Sequence, residues 1–126
     1  KAPLKPRGRS IRLDVPQNVS AVTGDCLVVT IENFDMVNGF DEEAFGTEYG
    51  AIDLCLRLAE RGLRTVWSPR VEMVSSNGTN IPASSEINKL RTRWPSYFTD
   101  DPYYNPNLSQ KTADYSLADT LKLEKY

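Results

Sequence analysis

The sequence predicts an α/β domain with a short mixed sheet, one main crossover helix and a helical C-terminal region. Three observations predict it. Two β-branched, apolar runs, SAVTGDCLVVTI (20–31) and RTVWSP (64–69), read as strands. Between them Ile52, Cys55, Leu56 and Ala59 fall at i, i+3, i+4 and i+7, one face of an amphipathic helix. After a polar loop, a second helical run starts at Ser84 or Ser85 and reaches about Phe98, kinked or divided at Pro95.

Taken in order, 1–16 is an extended, basic, proline-rich arm. The run 20–31 is expected to form two strand pieces around a bend at Gly24-Asp25, because glycine interrupts a ladder. ENFDMVN fits a short helical turn closed by Asn38-Gly39, and an acidic turn and Gly-punctuated loop, GFDEEAFGTEYGA, follow. Asp53 then heads the helix LCLRLAER, where its carboxylate can cap free backbone N–H groups. Gly62 is placed to take the left-handed position after the helix, with Leu63 folding back over the last turn. RTVWSP is a strand stopped by Pro69, and VEMV (71–74) is another, entering SSNGTN. DPYYNPNLS is irregular, and 110–126 is a tail with weak amphipathic character. The domain proper is thus 17–109. Its strands are few and short, so they are expected to be the edge of a sheet completed elsewhere, with a tendency to self-associate.

The chain has 126 residues, room for one core. It begins at Lys1, so it is expected to be a piece of a longer polypeptide. Net charge is −2, which excludes a generally basic nucleic-acid binder. That balance hides an asymmetry. Lys1, Lys5, Arg7, Arg9 and Arg12 precede the first acid, whereas Glu32, Asp35, Asp41, Glu42, Glu43, Glu48 and Asp53 follow one another with no Lys or Arg between. The arm has two readings: a solvated terminus, or a contact with phosphate or an anionic membrane surface. Cys26 and Cys55 both sit in apolar contexts and read as buried, reduced thiols, which implies a cytoplasmic location. The chain has no His, which excludes Ser–His and Cys–His catalysis and His-based metal sites within it.

The order SAVTGDCLVV, ENFDMVNGFDEE, IDLCLRLAERGLRTVWSP, a strand into a polar loop, RW and DPYYNPNLS resembles the C-terminal half of family 2 inverting glycosyltransferases of the GT-A fold. The resemblance covers about Ser20 to Ser109. It implies a partial GT-A-like domain that carries the acceptor site. In the family an N-terminal half binds a nucleotide-diphosphate sugar through a D-x-D motif and a divalent metal, Mg or Mn. No D-x-D occurs here, so this chain is expected to hold no metal itself and, alone, to turn nothing over. A complete parent would take a nucleotide-diphosphate sugar and a glycan acceptor, at the inner face of a membrane.

Inverting transfer needs a carboxylate within hydrogen-bond reach of the acceptor hydroxyl, whose pKa is far above 7. The family usually places it two residues before the helix-heading Asp, in E-D-x-D-L. The matching positions here are Gly50, Ala51, Ile52 and Asp53. The position expected to carry the base is therefore Ala51, which cannot accept a proton. Glu48 is the candidate substitute on the same loop, against a plainer reading as a solvated acid. Asp53 is retained, and helix capping accounts for it without catalysis. Where relatives carry His after the VEMV strand, this chain has Ser75-Ser76-Asn77-Gly78. Arg93-Trp94 resembles the end of Q-x-x-R-W, with Leu90 at the Gln position. That match implies an Arg on the diphosphate and a Trp stacked on acceptor sugar, though a helical Trp is also a common core residue. Thr23, Gly24 and Asp25 are implied as further substrate contacts, and Tyr103, Tyr104 and Asn105 either line the same groove or clamp the C-terminal segment. The alternative to an enzyme is a non-catalytic carbohydrate-binding or interaction domain on a degenerate scaffold.

Overall fold

A computed structural model describes residues 15–71, 73 and 84–109, except for the side chains of Thr47, Glu48 and Ser84. The basic arm, the SSNGTN loop and the C-terminal tail lie outside the described residues. The elements run β1 (Gln17–Val19), α1 (Ile31–Met36), α2 (Thr47–Glu60), β2 (Thr65–Trp67), α3 (Ser84–Arg93) and α4 (Pro95–Thr99). The fold is mixed α/β, as the sequence predicts: a small sheet, one long helix and a C-terminal helical region.

α2 organises the core because it is apolar on two sides. On one, Leu56 joins Phe45, Leu90 and Trp94 in a buried cluster that Ala44, Tyr49, Ile52 and Tyr97 extend. On the other, Leu54 and Leu58 join Val37, with Leu27, Val29, Phe34 and Leu63 packed around them. The predicted face of Ile52, Cys55, Leu56 and Ala59 is therefore only part of what α2 buries. The helix ends as its sequence dictates. Gly62 takes a positive φ of 81°, its N–H donates to Ala59 O and that of Leu63 to Leu58 O, and Leu63 folds onto the second cluster. α1 is capped by Thr30, whose Oγ1 accepts the N–H of Asn33, and closes at Asn38 and Gly39, both with positive φ. Pro95 divides the last helical run into α3 and α4, with no backbone N–H to continue α3.

The strands differ from expectation. β1 and β2 pair antiparallel in the register Gln17↔Trp67, Asn18↔Val66 and Val19↔Thr65. Residues 20–31 form no strand, although the bend at Gly24-Asp25 is present. Leu27 and Val29 are half-buried against α2 while Val28 is 92% exposed, so the two-residue alternation exists without a ladder partner. β2 spends its pairing on residues 17–19 instead. Val71 and Met73 also lie outside any strand, and both are exposed. Cys55 is buried but Cys26 is exposed, which corrects the reading of two buried thiols and removes its argument for a cytoplasmic location. Among the described residues, no helix is long and apolar enough to cross a membrane.

Two outcomes follow from this packing. A Cβ at Gly39 would lie 2.8 Å from the Phe34 ring, whereas one at Gly62 meets nothing within 4 Å. Both positions have positive φ, so Gly62→Ala should cost about 1 kcal/mol and Gly39→Ala about 2 kcal/mol or more in urea unfolding, since Phe34 must also move. Equal costs would show that the Phe34 contact is absent. Val28, Val66, Val71 and Met73 leave apolar side chains in water beside a two-stranded sheet. The chain is expected to self-associate as concentration rises. Sedimentation as a clean monomer across a wide concentration range would contradict this.

Candidate functional site

The acidic turn and loop form a structured wall rather than a free loop. Asp41 opens it. Its Oδ1 accepts the N–H of Ala44 at 3.1 Å and its carbonyl accepts that of Phe45 at 3.0 Å. One stripe of α3 then grips the segment at three successive points. Arg93 Nη1 donates to Asp41 Oδ2 at 2.8 Å, Lys89 Nζ to Ala44 O at 3.3 Å, and Glu86 Oε2 accepts the N–H of Gly46 at 3.2 Å. Residues 86, 89 and 93 share a helix face, which is what lets one helix hold an extended stretch of chain.

Asp53 is the centre of this wall. The helix that was expected to start at Asp53 starts at Thr47, with Gly46 as its N-cap, so Asp53 is interior to α2 and caps nothing. Gly50, a poor helix former, is held in the helix by tertiary packing, and so the cap position moves back to Gly46. The Asp53 side chain is 0% exposed. Its Oδ2 accepts Arg57 Nε at 2.7 Å, one turn on, and its Oδ1 accepts Trp94 Nε1 at 2.8 Å and Arg93 Nη1 at 3.1 Å. Arg57 carries the link onward, donating from Nη1 to Val37 O and from Nη2 to Gly39 O at 2.8 Å. The carboxylate thus ties α2, the α3–α4 junction and the turn after α1 to one point. A buried carboxylate is tolerated only when matched in this way.

Arg93 is shared between Asp41 and Asp53, and both carboxylates raise its pKa. The hydrogen bond from Arg93 lowers the pKa of Asp41, desolvation opposes this, and the Ala44 N–H adds to the lowering. Beside the network lies a cleft of about 740 Å³ whose lining includes Phe40, Glu42, Glu43, Arg57, Glu60, Arg93 and Trp94.

Among the sequence candidates, Asp53, Arg93 and Trp94 come together. Trp94 is 7% exposed, and it packs in the core with its indole N–H committed to Asp53. Thr23, Gly24 and Asp25 form an exposed turn in which Thr23 Oγ1 donates to Asp25 Oδ2 at 3.3 Å, and none of the three lines the cleft with Arg93. Tyr103 lines a different cavity from Arg93, and the Tyr104 hydroxyl clamps the C-terminal segment by donating to Ser109 O at 2.6 Å. Glu48 lies in the first turn of α2, and its side chain is outside the described part of the structure. Ala51 is 1% exposed, so an acid there would be buried rather than presented to a substrate. Residues 75–78 lie outside the described residues. Arg57 was missed as a site residue, although its spacing of four from Asp53 on a helix was visible. Glu42 and Glu43 were visible only as charge, and the structure places them at the cleft. Among the described residues no three His, Cys, Asp or Glu side chains converge in a group that could hold a metal ion.

Sequence comparison finds two relatives. The chain is 29% identical over 109 residues to the O-antigen biosynthesis protein RfbC of Myxococcus xanthus, covering 80% of this chain and 8% of that protein. It is 35% identical over 121 residues to the uncharacterized protein y4gI of Sinorhizobium fredii (strain NBRC 101917 / NGR234), covering 88% of this chain and 13% of that one. The chain therefore spans a small part of the length of either relative. No protein-family model matches it, and no solved structure does.

The two aspartates should separate in stability measurements. Asp53→Asn removes the charge of a fully buried carboxylate that holds Arg57, Arg93 and Trp94, and should cost about 3 kcal/mol at pH 7. Asp41→Asn, in an exposed pair screened by solvent, should cost clearly less. The depressed pKa of Asp41 stabilises the fold above the unfolded aspartate value of about 3.9, and this is lost as pH falls through the folded value. The parent and Asp41→Asn should therefore differ in urea midpoint at pH 7 and converge on acidification. A difference that persists in strong acid would assign the effect of Asp41 to something other than its charge.

Proposed function

We propose that this chain is the acceptor-side part of a GT-A glycosyltransferase of family 2. Joined to a nucleotide-binding half, it passes a hexosyl-type sugar, with inversion, from a nucleotide-diphosphate sugar to an acceptor hydroxyl during synthesis of a polysaccharide of O-antigen type. The similarity to an O-antigen biosynthesis protein across 80% of the chain carries this reading, and the ordered motifs supply its chemistry. The acceptor oxygen attacks the anomeric carbon, the new C–O bond forms as the bond to the nucleotide diphosphate breaks, and the acceptor proton passes to a carboxylate of the chain. Glu48, at the start of α2 and next to the segment gripped by α3, is the proposed proton acceptor. In this reading the divalent ion belongs to the nucleotide-binding half, and the basic arm rests on the inner face of a membrane.

The test is made in the polypeptide that joins both halves. Glu48→Gln preserves size and hydrogen bonding but removes the proton acceptor, so kcat should fall by about 10² or more while donor binding is nearly unchanged. The chain by itself should transfer nothing above a heat-killed control. A second reading, a carbohydrate-binding domain without catalysis, is favoured by the buried, uncharged Ala51. Turnover by Glu48→Gln at the parent rate removes Glu48 from the mechanism. A joined polypeptide that binds glycan but never transfers establishes the second reading over the first.

A further inference from the structure

Trp94 and Tyr97 meet edge to face with ring centroids 6.2 Å apart. Trp94 lines the Arg93 cleft, whereas Tyr97 lines a second cavity of about 420 Å³. That volume lies within the range of about 300–1,000 Å³ usual for small-molecule sites. Its lining combines apolar side chains of α2 and α3 (Ile52, Leu56, Ile87 and Leu90) with the aromatic rings of Tyr49 on α2, Tyr97 and Phe98 on α4, and Tyr103 in the turn that follows. Asp101 and Ser20 also line it. Asp101 is held in place, with Oδ1 accepting the Ser20 hydroxyl and the N–H of Tyr103. Asp101 Oδ2 and the hydroxyls of Tyr49, Tyr97 and Tyr103 have no hydrogen-bond partner among the described residues.

We propose that this cavity is a binding site for a neutral carbohydrate, taking one or two pyranose rings of a glycan. A pyranose presents an apolar C–H face, which an aromatic ring covers well, and an edge of hydroxyls that both donate and accept. The cavity offers that pair of surfaces: aromatic walls, a fixed carboxylate oxygen that accepts from sugar hydroxyls, and phenols that do both. The lining includes no Lys or Arg, so nothing there balances a phosphate or uronate, and Asp101 repels one. A purely aliphatic ligand would leave the carboxylate and three phenols without partners, which is costly on desolvation. The assignment rests on the lining alone and stands whether or not the chain takes part in glycosyl transfer.

The chain is titrated with neutral trisaccharides of glucose, galactose, mannose and N-acetylglucosamine, and with glucose 1-phosphate and octanol, following backbone amide shifts. At least one trisaccharide should shift amides at 49 and 97–103 saturably, with a dissociation constant on the order of 1 mM. Tyr103→Ala should weaken it about tenfold or more and Tyr103→Phe less, while Glu32→Gln, exposed on α1 and outside both cavities, leaves it unchanged. Phe98→Ala provides a second wall variant should Tyr103→Ala disturb the spectrum elsewhere. The proposal is overturned if no trisaccharide binds at these residues, if the shifts collect around Arg93, or if wall variants bind like the parent. Tighter binding of glucose 1-phosphate or octanol than of any trisaccharide overturns it equally.

Discussion

A carboxylate with no access to water has to be matched group by group, and the Asp53 carboxylate is the point on which the described part of this structure converges. Its two oxygens receive one donor from its own helix, Arg57, and two from the α3–α4 junction, Arg93 and Trp94. Arg57 and Arg93 then reach outward to the carbonyls of Val37 and Gly39 and to the carboxylate of Asp41. The turn that carries the acidic segment is therefore positioned from within. Hydrophobic burial brings α2, α3 and the turn together, but the pairing at Asp53 selects one arrangement of them, because any other leaves a charge stranded.

This changes the chemical meaning of Arg93. Two carboxylates, both bound by Nη1, balance the charge of Arg93, so a diphosphate would meet only its Nε and Nη2 donors and little net positive charge. Trp94 likewise uses its one polar group internally. The cleft beside them is bounded by the carboxylates of Glu42, Glu43 and Glu60, which have no partner among the described residues, and by the half-exposed ring of Phe40. Such a surface suits hydroxyl-rich ligands better than phosphates. It agrees with the acceptor-side role proposed above, in which the anionic donor is bound elsewhere.

Much of the fold was legible in the sequence where local chemistry decides it. Asn38-Gly39, Gly62 with Leu63, and Pro95 each set a boundary that the structure keeps, because each depends on backbone conformation over a few residues. The start of α2 was not legible. Gly46, Gly50 and the acids around them read as loop, and only the packing of Phe40, Phe45 and the grip of α3 make them helix and wall. The strand at 20–31 failed for the complementary reason: its side chains alternate correctly, but a strand also requires a partner, and partners are chosen by tertiary structure. For the site, Asp53, Arg93 and Trp94 were found as residues and misjudged in part as to role. A cap and a stacking platform were expected, and the groups instead bond to one another across forty positions of sequence. Nothing local signals such a pairing.

The account stands on the coupling between Asp53 and Arg93, and a double-mutant cycle measures it directly. Unfolding free energies of the parent, Asp53→Asn, Arg93→Gln and the double variant give the interaction with other effects of each substitution cancelled. The expected coupling is about 1 kcal/mol or more, since one partner is fully buried and the pair links two helices. Additive effects within about 0.3 kcal/mol would contradict the account, leaving Asp53 as a carboxylate served by Arg57 and Trp94 and Arg93 free to meet a ligand.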